Sequence, residues 1–104
     1  MTLKSQNTID GLPAIHPGRF LKEILDEMDI SQAALARAIG VSPMRVSFLM
    51  RGERPVTAEL ALLLAKALGQ SPQYWLNLQS IYDLKTVAPQ VQRHLDAVKV
   101  LAPA

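Results

Sequence analysis

A chain of 104 residues has room for one domain, and 49% hydrophobic residues let it bury a core of its own. The absence of cysteine excludes disulfides, thiolate metal sites and cysteine nucleophiles. The net charge of +2 is small but unevenly placed: residues 31–54 hold four arginines against one glutamate, whereas residues 1–30 hold five acids against three bases.

Residues 1–14 mix polar residues with Gly11 and Pro13, show no helical period, and are expected to form a flexible arm. No basic region followed by an apolar stretch opens the chain, so no secretory signal is expected. The longest apolar run, Leu60 to Ala65, is too short to span a membrane. A cytoplasmic protein with no membrane partner is the expectation.

His16-Pro17-Gly18 opens the first periodic segment, in which Leu21, Ile24, Leu25 and Met28 follow one helical stripe. Helix 1 is expected over about 18–28, with Glu23, Asp26 and Glu27 toward solvent. Helices 2 and 3 are expected over 32–39 and 43–50. Ser31 and Ser42 stand at their N-caps, Pro43 at a first helical position, and Gly40 at the turn between them. Leu35, Ala36, Ile39, Val41, Val46 and Leu49 supply the apolar positions that hold the pair together. Two short helices joined by such a turn form a helix-turn-helix, the arrangement that lays its second helix in the major groove of DNA.

Gly52 is the expected stop after helix 3. Thr57 caps helix 4, where Leu60, Leu63, Leu64, Ala67 and Leu68 recur at helical spacing before Gly69. Ser71-Pro72 repeats the cap-then-proline start and opens helix 5, expected to reach about residue 83. Pro89 is expected to act as a helix breaker; residues 90–101 allow a short helix, and Val98 to Leu101 a short extended edge. The fold class is therefore all-α, with five short helices and no run of period two.

The five-helix pattern, with Gln32 opening helix 2 and Val46-Ser47 on helix 3, resembles the phage-repressor/Cro (XRE, lambda-repressor-like) family of helix-turn-helix domains. His16-Pro17-Gly18, the run Ser71-Pro72-Gln73-Tyr74-Trp75-Leu76-Asn77-Leu78-Gln79, and Tyr82-Asp83-Leu84 resemble its HigA branch more narrowly. The resemblance spans residues 15–87, which sets a DNA-binding and dimerisation domain there and a C-terminal tail at 88–104. It implies a homodimeric antitoxin of a HigB–HigA toxin–antitoxin module. Such a protein binds double-stranded operator DNA to repress its own operon, and neutralises a HigB-like ribonuclease that cleaves messenger RNA on the ribosome. A stand-alone helix-turn-helix repressor without a toxin is the alternative. Arg45 and Phe48 stand where many helices of this type carry a threonine and a polar residue, so the base sequence recognised does not carry over.

Residue by residue, Gln32 is suited to a phosphate, with the helix N-terminus adding its own N–H groups. Arg45, near the start of helix 3, is read as the base-reading residue, because a guanidinium can bond two guanine acceptors at once; a phosphate contact is the alternative. Met44 either touches a thymine methyl or covers the groove edge. Ser42 and Ser47 approach phosphate or base, Ser42 also serving as the cap. Phe48 either meets the DNA or folds back onto helix 2. Arg51 and Arg54 suit phosphates.

Helix 5 carries more apolar surface than one stripe can bury. Tyr74, Trp75, Leu78, Ile81 and Tyr82 are accordingly expected at a two-fold dimer interface, the tail after Pro89 being the other possible cover. A toxin has three open docking surfaces: the arm, the acidic face of helix 1, and the tail. No nucleophile–base pair, phosphate loop or set of metal ligands is apparent, so neither enzyme activity nor a cofactor is expected.

Overall fold

The computed structural model describes residues 12–103, so most of the expected arm lies outside the described residues. The order of elements is α1 (Pro17–Met28), α2 (Gln32–Ile39), α3 (Pro43–Met50), α4 (Ala58–Leu68) and α5 (Pro72–Val87). A 3-10 turn (Ala88–Val91) and α6 (Gln92–Ala97) complete it. There is no strand among the described residues.

The same physical device starts four of these helices. The hydroxyls of Ser31, Ser42, Thr57 and Ser71 each accept the N–H three residues on, from Ala34, Arg45, Leu60 and Tyr74, at 3.0–3.2 Å. His16 starts α1 in a related way, its Nδ1 accepting the Gly18 N–H at 2.9 Å. The stops are left-handed residues: Gly40 (φ 74°), Gly69 (φ 89°) and, in α1, the non-glycine Asp29 (φ 57°). At the end of α3, Gly52 N–H reaches the Leu49 carbonyl and Glu53 N–H the Phe48 carbonyl, the paired closure that a left-handed glycine permits.

The core gathers Leu21 and Leu25 of α1, Leu35, Ala36 and Ile39 of α2, and Val46 and Leu49 of α3. Val56 of the α3–α4 connection, Leu60, Ala61, Leu64 and Ala65 of α4 and Trp75 of α5 complete it. Two stripe expectations shift. Met28 is exposed as the last residue of α1, and in α4 Ala61 and Ala65 are buried while Ala67 faces solvent.

Two further expectations are corrected. Helix 5 runs to Val87 rather than 83. Pro89 does not break the chain path either, because it sits in the first turn of the 3-10 segment, where the missing N–H costs nothing, and helical structure resumes to Ala97. Val98 to Leu101 is irregular and pairs with no strand. Trp75 is also reassigned. It is fully buried within one chain, its Nε1 donating to Gln70 Oε1 at 3.0 Å, so it cannot front a dimer partner.

Candidate nucleic-acid interface

Helices α2 and α3 meet at 120°, within the range of DNA-binding helix pairs. Leu35, Ala36 and Ile39 of one and Val46 and Leu49 of the other are buried together, with Val41 half-buried at the turn. The polar faces are left outside.

Gln32 is the first residue of α2 and is exposed beside the Ser31 cap. On α3, Met44 is exposed, while Arg45, Ser47 and Phe48 are half-buried; Ser42, Arg51 and Arg54 are exposed around them. A groove of about 450 Å³ runs between α3 and the start of α4, lined by Ser42, Met44, Arg45, Phe48 and Arg54 from the predicted set and by Pro55, Thr57 and Leu60. The structure thus brings most of the predicted residues to one surface. Gln32, Ser47 and Arg51 lie outside the groove lining.

Two local arrangements lie beyond the sequence expectations. The first concerns Phe48. The guanidinium carbons of Arg51 and Arg54 lie over its ring at 5.3 and 5.4 Å, so the ring is a platform that holds two cations. Arginines three and six positions after an aromatic residue are the sequence signal that points to it. The second is an ion pair between Arg45 Nη2 and Glu59 Oε1 at 2.8 Å, joining α3 to the first turn of α4. Arg51 also pairs with Glu53 at 3.2 Å.

Below this surface, Gln79 of α5 is the one buried polar residue among those described. Its Oε1 accepts the Val56 N–H at 2.7 Å and its Nε2 donates to Asp83 at 2.9 Å. This ties the α3–α4 connection, which carries Arg54, to α5. Gly18 does similar work by absence. A Cβ there would collide with the Leu49 carbonyl oxygen, so α1 seats directly on the end of α3. His16 stacks edge-on against Tyr82 with ring centroids 5.0 Å apart. Burial pushes its pKa down, with the Arg54 carbonyl and the Asp83 charge pulling the other way.

On α5, Ile81 and Leu84 are half or more exposed and Tyr74 is exposed, while Leu78 and Tyr82 are half-buried. Every residue from Pro89 to Pro103 is exposed, so the tail does not cover that face.

The helix-turn-helix family model HTH_3 matches residues 21–75. Virulence-associated protein I of Dichelobacter nodosus is 48% identical over 75 residues, covering 71% of this chain and 69% of that protein. Antitoxin HigA-1 of Vibrio cholerae is 42% identical over 85 residues, covering 81% and 80% respectively. The solved Pseudomonas aeruginosa antitoxin HigA with the higBA promoter superposes with a TM-score of 0.80 at 39% identity, covering 86% of this chain and all of that one.

Proposed function

Because the chain belongs to the helix-turn-helix family and to its HigA-type antitoxins, we propose that it binds its own operator, represses its operon and neutralises a HigB-like ribonuclease. The observation that carries the DNA-binding part is the likeness to an antitoxin solved with its promoter, over a surface where Arg45, Phe48 and Arg54 line one groove. Helix α3 enters the major groove with Arg45 toward a base edge. Gln32, Ser42, Ser47, Arg51 and Arg54 position the protein on phosphates, and Met44 and Phe48 supply apolar surface at the groove wall. Phosphate contacts fix register and base contacts choose sequence, so the two groups act separately.

Residues 15–87 form the working domain, with 88–104 as a tail. A homodimer forms through α5, using Tyr74, Leu78, Ile81 and Tyr82; the exposed side chains of Ile81 and Tyr74 support this. Two half-sites about 34–36 Å apart then match two recognition helices. The role is binding and inhibition rather than catalysis, and its setting is the cytoplasm; no single described helix is long and apolar enough to cross a membrane.

The test pairs DNA with growth. The gene beside this one is expressed alone and together with this protein, and binding to the DNA upstream of the pair is measured in parallel. Growth arrest relieved by co-expression, with specific binding upstream, is the expected result. Specific binding without any rescue leaves the stand-alone repressor.

A further inference from the structure

We infer that Glu59 is a specificity-determining positioning residue, acting through Arg45 to fix the direction from which α3 reads a base. This inference rests on the proposed operator binding and names a partner within that same site.

Arg45 is the third residue of α3, and Ser42 caps its backbone N–H. Its side chain is anchored at the far end too, Nη2 to Glu59 Oε1 at 2.8 Å, across fourteen positions of sequence. A guanidinium presents five donors in a planar fork. One carboxylate oxygen takes one nitrogen, and the rest of the fork remains for the two acceptors of a guanine. The side chains of Arg45 and Glu59 are 40% and 67% exposed, so the pair stands at the surface and not in the core. An exposed ion pair contributes little to folding. Its effect is on the orientation of a side chain suited to bidentate readout.

The carboxylate has a second consequence. It partly neutralises Arg45 before DNA arrives and, being exposed, repels phosphates that approach that side chain. Binding to DNA of any sequence is thereby weakened, and a guanine that engages the free edge of the fork offsets that loss. Orientation and repulsion both raise the ratio of specific to non-specific affinity.

The experiment selects from a library of random-sequence duplexes with the full-length wild type, Arg45→Ala, Glu59→Ala and Glu59→Gln, then measures each protein on the selected site and on scrambled duplex. Circular dichroism confirms folding of each variant. Glu59→Ala is expected to lose about tenfold in discrimination at one base pair per half-site, the same pair that Arg45→Ala relaxes. Glu59→Gln keeps an acceptor for Nη2, so it recovers most of that preference while binding scrambled DNA as tightly as the alanine variant. The inference is overturned if Glu59→Ala strengthens binding equally on all sequences, if it relaxes a different base pair, or if Arg45→Ala leaves every preference intact. A wild type that selects no consensus overturns the operator-binding reading itself.

Discussion

The side-chain oxygen of Gln79 accepts the backbone N–H of Val56 at 2.7 Å, across 23 residues of sequence. Val56 is 4% exposed, so no solvent can take over that N–H. The bond fixes the connection between the recognition helix and α4 to the long helix beneath them. Gln79→Leu leaves the donor buried and unsatisfied and should destabilise the fold by about 1–3 kcal/mol. Urea unfolding measures it, and a loss near zero would mean that the connection holds its shape unaided.

Gly18 is needed for closeness. A methyl group at that position runs into the Leu49 carbonyl, which also accepts the Gly52 N–H that closes α3. Gly18→Ala should cost about 1–3 kcal/mol in spite of alanine's better helix propensity. Operator affinity should fall with it, because the end of α3 must shift. A variant as stable as wild type in urea would show that the two helices part at no cost.

Phe48 holds two arginines at once. Each cation–π contact at an exposed site contributes about 0.5–1 kcal/mol, which caps the preorganisation of the two arginines that can be lost, so Phe48→Ala should weaken operator binding by at most about thirtyfold. The salt dependence should be unchanged, since the same guanidinium groups still meet phosphates. Fluorescence anisotropy across a salt series separates the two effects; a shallower salt slope would mean that the arginines no longer reach the DNA.

The His16 pKa lies below its ordinary value of 6.5. The unfolded chain therefore takes up the proton first, and protonation favours unfolding. The contribution of this residue is complete above pH 6.5 and declines as the pH falls through the folded-state pKa. His16→Asn keeps a capping side chain without the titration, so its melting temperature should fall less than that of the wild type between about pH 7.5 and 5.5. Parallel curves would assign the acid sensitivity to other groups.

Asp29 closes α1 at φ 57°, and it is the only non-glycine residue among those described with positive φ. Asp29→Gly relieves that strain and should raise stability by about 0.5–1 kcal/mol. A decrease in the urea midpoint would show that the carboxylate does something the backbone does not reveal.

The helices are legible in the sequence because each start carries its own local chemistry. Ser31, Ser42, Thr57 and Ser71 cap as residues of their type do, and the bounds of α2 and α3 match the expected ones to the residue. The interior of α5 is harder to read, for a physical reason. Its inward stripe is Trp75 and Gln79, one of them polar, so an apolar count does not separate the face inside the fold from the face outside it. Pro89 misleads in a different way, since a proline at a helix start and one at a break look alike in sequence. Arg45 with Glu59, and Gln79 with Val56, are contacts between segments far apart in the chain. No local pattern encodes them.

Helices α2 and α3 are eight residues each. Segments that short do not hold a helical form in water by themselves, so the surface that reads DNA exists only while the whole domain is assembled. Occupancy and folding are thus linked. At an operator concentration about a hundred times Kd, binding adds about 2.7 kcal/mol to the stability of the bound chain. The molecules on DNA are then the long-lived ones, and loss of protein begins in the free pool.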